Sequence, residues 1–106
     1  MEEITVHELK QKRESGEEFL LLDVREPFEY EISNIDGQLI PLDQLSERMD
    51  ELSGYEDKEI VIMCRSGGRS ARACEMLSRS GFQNVKNLKG GVNDWAREID
   101  PTLPVY

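Results

Sequence analysis

The stretch that most constrains this chain runs from Ile60 to Ala73 and reads IVIMCRSGGRSARA. Its first four residues, Ile60–Met63, are apolar and mostly β-branched, which predicts a short strand buried on both faces. Residues from Ser70 onward favour a helix. A strand that ends at Cys64 and passes through a glycine loop into a helix places the thiol among backbone N–H groups at the positive helix end. Such a position favours an anion.

Cys64 is therefore predicted to be an ionised nucleophile. An ordinary thiol with a pKa of about 8.5 is only about 3 per cent ionised at pH 7, whereas helix N-termini and neighbouring arginines lower that pKa. Arg65 and Arg69 flank the loop, and Gly67 and Gly68 can adopt positive φ and turn their amides inward. The alternative is a structural buried cysteine before a tight turn, which the two arginines disfavour. The predicted site comprises the catalytic Cys64 and the substrate-binding residues Arg65, Ser66, Gly67, Gly68, Arg69 and Ser70.

The charge of the chain limits its partners. A formal net charge of -9 would repel nucleic acid and anionic membranes, although Cys64 to Arg79 holds four arginines against one glutamate. No targeting segment and no apolar run of membrane-spanning length is present, which predicts a cytoplasmic protein, and we expect a monomer. Two cysteines and one histidine predict neither a disulfide framework nor a metal site.

The remainder of the chain alternates between strand and helix patterns, which predicts an α/β domain over residues 1–106. Alternation of this kind builds a parallel sheet with helices on both faces. Further strands are predicted over Phe19–Val24, Leu39–Pro41 and Val85–Leu88. Four helices are predicted: from the capping box of Thr5 and Glu8 to near Gly16, from Pro27 to Tyr30, from Ser70 to Gly81, and from Gly90-Gly91 onward. Trp95 of the last helix is predicted to pack inward. Leu42, Leu45 and Met49 are spaced as on one face of a helix and are predicted to be core residues.

Several polar residues outside the loop are predicted to be structural. Asp23 and Arg25 follow a predicted strand, and we expect them to tie its end to the next turn, with Arg25 paired to Glu26 or Glu29. Direct substrate contact is the alternative, because functional groups collect at the carboxyl ends of parallel strands.

Two residues that could take part in cysteine chemistry are predicted to stay outside the site. His7, the only histidine, lies in the first turn of the first helix, where a solvated or packing role is expected. Cys74 is predicted to be buried and inert. A resolving role for it is the alternative, but about two and a half helical turns, roughly 15 Å, separate it from Cys64.

The segment Cys64–Ser70, CRSGGRS, resembles the active-site loop of rhodanese-like domains, the persulfide-forming sulfurtransferases. This resemblance implies about five mainly parallel strands, a sulfane sulfur carried as a persulfide on Cys64, a small anionic donor such as thiosulfate or a protein persulfide, a thiophilic acceptor and no cofactor. Many relatives have Gly-His-Ile where this chain has Ser33-Asn34-Ile35, so the role of Asn34 is open. Other matching segments are Leu21–Pro27, Phe28–Tyr30, Ile35-Asp36-Gly37, Gly81-Phe82, Asn84-Val85, Leu88, Gly90-Gly91 and Trp95.

The tail from Trp95 to Tyr106 is similar to that of rhodanese-like domains fused behind adenylating enzymes. This similarity implies a ubiquitin-fold sulfur-carrier protein as partner, and either a domain of a longer protein or its stand-alone counterpart. A simply packed C-terminal tail is the alternative.

Two other functions remain open for the chain. A rhodanese-like module can bind a partner through its surface without catalysis. Phosphatases and arsenate reductases also use a cysteine loop closed by arginine, but their loops read C-x5-R, whereas here Arg69 comes one residue earlier and Ser70 takes its place.

Overall fold

The computed structural model describes all 106 residues and contains one five-stranded parallel sheet. The strands lie side by side in the order β1-β5-β4-β2-β3. Three α-helices connect consecutive strands, two 3₁₀ turns join β3 to β4, and a fourth α-helix follows β5, which confirms the predicted α/β architecture. The strands are β1 (Glu2–Ile4), β2 (Leu20–Asp23), β3 (Gln38–Leu39), β4 (Ile60–Met63) and β5 (Val85–Leu88), and the helices are α1 (Val6–Glu14), α2 (Pro27–Ile32), α3 (Gly68–Arg79) and α4 (Gly91–Glu98).

Strand β4 forms the centre of the sheet, and all four of its residues are buried. Its side chains alternate between two hydrophobic clusters, because successive residues of a strand point to opposite faces. Ile60 and Ile62 pack in a cluster that includes residues of α3, and Val61 and Met63 pack in a cluster that includes residues of α1 and α4. The predicted arrangement of helices on both faces is confirmed. None of these helices is both long and apolar enough to cross a membrane.

The structure departs from the predicted elements at two places. Strand β1 was not assigned from the sequence, since it has three residues and only Ile4 is buried. It becomes a strand by pairing with β5 at the sheet edge. The helical spacing of Leu42, Leu45 and Met49 corresponds to two separate 3₁₀ turns, although Leu45 is fully buried and the other two pack against the core, as predicted.

Most of the predicted boundaries agree with the structure. Thr5 and Glu8 form the capping box of α1, and Gly81 follows α3 with a φ of 97°. Helix α2 extends two residues beyond the predicted Tyr30, and β3 covers Gln38–Leu39 instead of the predicted Leu39–Pro41. Because β2 and β5 both pair with β4, residues at the carboxyl ends of all three strands share one edge of the sheet.

Candidate active site

Cys64 lies at that edge, immediately after β4, with only 1% of its surface exposed. Its Sγ accepts a hydrogen bond from the Gly67 N–H at 3.1 Å and lies 3.3 Å from the Ser70 Oγ. Gly67 caps the N-terminus of α3 with a φ of 116°. The sulfur is thus enclosed by the turn that begins the helix, where N–H groups have no partner within the helix.

The hydrogen bonds around Cys64 outweigh its burial. Burial alone would raise the pKa of the thiol, but bonds from the Ser70 hydroxyl and from the backbone N–H groups of Ser70, Gly67 and Ser66 lower the pKa below its ordinary value. Hydrogen bonds to the charged form stabilise the thiolate in this way. The causes that lower the pKa of Cys64 are therefore main-chain amides and one hydroxyl.

Arg69 is held in an ion pair with a carboxylate from α2. Its Nη1 and Nη2 donate to the two oxygens of the buried Glu29 at 2.6 and 2.8 Å. This pair, with the Glu26 N–H and the Tyr106 hydroxyl, lowers the pKa of Glu29 to about 2 despite its burial. Arg69, which the sequence predicts to attract an anionic donor, therefore already has both terminal nitrogens bonded to Glu29.

Tyr106, the last residue of the sequence, closes the site and was not identified from the sequence. The Arg65 guanidinium lies 4.9 Å from the centre of its ring, and Arg65 is exposed with no carboxylate partner. The Tyr106 hydroxyl accepts from Arg25 and donates to Glu29, both at 2.8 Å. Its backbone is bound twice by the Asn93 amide, at 2.9 and 3.1 Å. The tail is thus tied into the wall of the site.

Asp23 and Arg25 form a completely buried ion pair behind the loop. The Arg25 Nη2 lies 2.8 Å from Asp23 Oδ2 and also donates to the Ser33 carbonyl, while Nη1 donates to the Glu29 carbonyl. The predicted role in tying strand to turn is confirmed. The predicted pairing with Glu26 or Glu29 is wrong, because the Glu29 carboxylate points to the cysteine loop and Asp23 neutralises Arg25 instead.

The N-terminus of α4 orients the first two peptides of the cysteine loop. The Val92 N–H donates to the Cys64 carbonyl at 3.0 Å and the Asn93 N–H to the Arg65 carbonyl at 3.2 Å. Because C=O and N–H point in opposite directions across a trans peptide, the N–H groups that follow these carbonyls face the loop interior. Gly91 permits this contact, since a Cβ there would lie 2.4 Å from the Cys64 oxygen.

The two loop glycines have different roles. Gly67 has the positive φ that the sequence predicted, but Gly68 does not, because it is the first residue of α3. A Cβ at Gly68 would meet no atom within 4 Å. The expectation of positive φ at both glycines is therefore right for Gly67 and wrong for Gly68.

Asn87 supports the loop from β5 and was also missed in the sequence. It is 3% exposed, its Oδ1 accepts from the Ser70 hydroxyl at 2.5 Å, and its Nδ2 donates to the Gly67 carbonyl at 3.2 Å. The available signal was a single amide between Lys86 and Leu88 in the strand VKNL. That signal gives no indication of which loop the amide meets.

Three other residues lie apart from the cysteine loop. Cys74 is buried within α3 and not in a disulfide, and burial raises its pKa to about 12. His7 bonds Glu98 at 2.8 Å on the surface. The Asn34 side chain bonds backbone atoms of residues 30 and 36, which gives it a local structural role. No group of three or more His, Cys, Asp or Glu side chains is placed to hold a metal ion.

Comparisons with known proteins agree on one family. The model of the Rhodanese-like domain matches residues 5–98. A "Sulfurtransferase" of Allochromatium vinosum is 39% identical, with 95% of this chain and 94% of that protein covered. The maize "Adenylyltransferase and sulfurtransferase MOCS3-2" is 38% identical over 97% of this chain, which spans only 23% of that protein. The crystal structure of a rhodanese-related protein from Thermoplasma volcanium has a TM-score of 0.82 at 33% identity, covering 100% of this chain and 98% of that one.

Proposed function

This chain belongs to the rhodanese-like family, and we propose that it transfers sulfane sulfur as a persulfide on Cys64. The observation that carries the proposal is the environment of the Cys64 Sγ, which accepts a bond from the Gly67 N–H and contacts the Ser70 hydroxyl at the start of α3. These groups stabilise negative charge on sulfur. A thiolate is the reactive form in attack on another sulfur atom.

In the first half-reaction, the Cys64 thiolate attacks the outer sulfur of a donor such as thiosulfate. A bond forms between Sγ and that sulfur while the sulfur–sulfur bond of thiosulfate breaks. Sulfite leaves with the electron pair, and the protein is left as a persulfide anion. The total charge is unchanged, so no external oxidant or cofactor is required.

In the second half-reaction, a nucleophilic acceptor attacks the terminal sulfur and Cys64 leaves as a thiolate. The leaving thiol departs faster when its pKa is low. The hydrogen bonds that lower the pKa of Cys64 therefore assist both attack and departure. One arrangement of donors serves both halves of the cycle.

Donor binding is proposed for the outer side of the loop. Arg65 is the loop arginine without a carboxylate partner, and Ser66 and Gly68 are exposed beside it. Open space at Gly68 leaves room for a small anion. Ser70 bonds Cys64 from the inner side, and the amides of Gly67 and Ser70 contribute to the cradle. Arg69 contributes positive charge only as part of its pair with Glu29.

The same pairing argues against a phosphatase. Arginine frequently binds phosphate through two parallel N–H donors, but Glu29 already accepts from both terminal nitrogens of Arg69. The loop is also one residue shorter than C-x5-R. Sulfur transfer is therefore the better use of this loop.

The acceptor that we propose is a ubiquitin-fold sulfur-carrier protein. Support comes from the maize relative, whose name pairs adenylyltransferase with sulfurtransferase. Phe28 and Ile32 also lie one helical turn apart on α2 and are 64% and 44% exposed, while Glu29 of the same helix reaches the loop. Exposed apolar side chains on a helix that also contacts the cysteine loop suit a protein acceptor.

Intact-mass measurement tests the central proposal. Reduced protein incubated with thiosulfate should gain about 32 Da, one sulfur atom, and cyanide or excess thiol should remove it. Cys64→Ser should gain nothing, whereas Cys74→Ala should gain the same mass as the unchanged protein. Absence of the adduct in the unchanged protein would contradict persulfide chemistry. A partner captured equally well by Cys64→Ala, with no sulfur transfer, would favour the binding-module alternative.

A further inference from the structure

The Ser70 hydroxyl has more acceptors around it than it can serve. Its single proton lies within reach of the Asn87 Oδ1 at 2.5 Å, the Gly67 carbonyl at 3.2 Å and the Cys64 Sγ at 3.3 Å. Ser70 is fully buried and Asn87 nearly so, so water does not compete for these positions. A hydroxyl donates one hydrogen bond at a time, although it can accept two.

The Ser70 hydroxyl can have two orientations, and its shortest contact, to the Asn87 Oδ1, corresponds to one of them. When the hydroxyl donates to Asn87, its oxygen lone pair faces Sγ, which suits a sulfur that is itself a donor or carries no charge. When Sγ is a thiolate, the hydroxyl must rotate to donate to it. The Asn87 Oδ1 then loses the donor that the structure gives it, and a buried acceptor without a donor is unfavourable.

The orientation of the Asn87 amide is fixed independently. Its Nδ2 donates to the Gly67 carbonyl, so Oδ1 must face Ser70. A rotated amide would put an N–H against the hydroxyl and an oxygen against a carbonyl. Asn87 therefore offers Ser70 a fixed acceptor, on the side away from the sulfur.

We propose that Asn87 is a positioning residue for the Ser70 hydroxyl. Its Oδ1 accepts the hydroxyl's hydrogen bond when Cys64 carries no charge on Sγ, and the hydroxyl donates to Sγ instead when the thiolate forms. The effect of this exchange on sulfur loading rests on the proposed persulfide cycle. In the thiolate, the hydroxyl bonds Sγ. After sulfur is gained, the charge lies on the terminal sulfur and Sγ is neutral, so the hydroxyl returns to Asn87.

This exchange favours sulfur loading. Formation of the new sulfur–sulfur bond releases the Ser70 hydroxyl from Sγ and restores the bond to Asn87, while thiosulfate loses its outer sulfur and sulfite leaves with the electron pair. Asn87 thereby stabilises the persulfide relative to the thiolate. The hydroxyl keeps its proton throughout, so the positioning step transfers no proton to solvent.

The first test is the pH dependence of Cys64 alkylation by iodoacetamide. Asn87→Leu approximately keeps the side-chain volume and removes both polar atoms. The Ser70 hydroxyl can then donate to the Cys64 Sγ without losing a bond to residue 87. Its titration midpoint should move to lower pH, with about tenfold more thiolate at pH values below the midpoint. Ser70→Ala should move the midpoint the other way. Asn87→Ala replaces the leucine variant if that does not fold.

The direction in which the titration midpoint of Asn87→Leu moves separates this role from simple support of the loop. Loss of support would loosen the N–H groups around sulfur and move the midpoint of Asn87→Leu to higher pH. In a Ser70→Ala background, Asn87→Leu should leave the midpoint unchanged. A midpoint that rises or stays constant in the single variant, or an equal shift in both backgrounds, would overturn the proposal. Asn84→Ala, directly before β5 and without a side-chain hydrogen bond to the loop, is the matched control.

The second test measures the persulfide directly. At pH values where Cys64 is ionised, the equilibrium constant for loading from thiosulfate with release of sulfite should fall about tenfold in Asn87→Leu. An unchanged constant would overturn the link to loading. If the unchanged protein formed no persulfide at all, the proposed function would fail, while the titration would still decide whether Asn87 controls the hydroxyl.

Discussion

Cys64 and Cys74 are both 1% exposed and belong to the same hydrophobic cluster, yet their surroundings shift the thiol pKa in opposite directions. Cys64 precedes α3, where free N–H groups and the Ser70 hydroxyl lower its pKa. Cys74 lies within the helix, where the backbone N–H groups are used by the helix itself, and burial raises its pKa to about 12. Burial alone thus does not decide the reactivity of a cysteine, because the donors that face the sulfur do.

Substitution of each cysteine in turn should have the largest effect, because it tests directly whether Cys64 or Cys74 carries the reactive sulfur. Cys64→Ser should lower thiosulfate sulfurtransferase activity by about a thousandfold or more, because a serine hydroxyl is not ionised at neutral pH. Cys74→Ala should keep the activity within about twofold. Activity that survives in Cys64→Ser would show that this sulfur is not the carrier.

Substitution in the glycine turn tests the role of the hydrogen-bond donors, because it changes the N–H groups around Cys64 and leaves the sulfur in place. Gly67→Ala forces a side chain into a left-handed conformation, at a cost of about 1 to 2 kcal/mol, and moves the N–H that bonds Sγ. We expect kcat/KM to fall about ten- to a hundredfold and Cys64 to titrate at higher pH.

Gly68→Ala is the matched control for folding in that experiment. Its φ is helical and the added Cβ meets no atom, so the free energy of unfolding should change by less than about 1 kcal/mol. Urea denaturation of both variants measures the difference. Equal loss of stability in the two would contradict the distinction between the two glycines.

The ion pair beside Cys64 provides a pH test that has no counterpart at Cys74. The pKa of Glu29 is lowered from 4.5 to about 2, so the pair stabilises the folded state fully above pH 4.5 and progressively less as pH falls toward 2. Glu29→Gln should cost about 2 kcal/mol in urea denaturation at pH 7, discounted for the part-exposed Arg69. That difference should shrink at pH 3, and a constant difference would contradict the assignment.

The smallest expected effect concerns the contact between Arg65 and the tail. Tyr106→Leu is compared with Tyr106→Phe, because both lose the hydroxyl bonds to Arg25 and Glu29 and only the leucine variant loses the ring beneath the Arg65 guanidinium. That ring contact is an interaction of about 0.5 to 1 kcal/mol, so the KM for thiosulfate should be about threefold higher in Tyr106→Leu than in Tyr106→Phe, with little difference in kcat. Arg65→Ala should raise KM at least as much. If Tyr106→Leu raised KM equally in an Arg65→Ala background, the tail would act by another route.

Much of the fold and the centre of the site could be predicted locally. The IVIM run, the glycine turn and the following helix formers are consecutive in sequence, so their backbone preferences alone place Cys64 among amides. The short β1 could not be found in this way, since two of its three residues are exposed and only pairing with β5 makes it a strand. The partner of Arg69 was missed for a similar reason, because 40 residues separate it from Glu29.

The local sequence was therefore enough to predict the strand–loop–helix unit, the alternation that gives a parallel sheet, and the position of Cys64 at the start of the loop. Only the tertiary structure decided which groups surround that sulfur. Packing brought Asn87 of β5 to Ser70, the N-terminus of α4 to the loop carbonyls, and Tyr106 to Arg65 and Glu29. The physical reason is distance along the chain: propensity acts over a few neighbouring residues, whereas hydrogen-bond and ion-pair partners are chosen by the packing of the whole sheet.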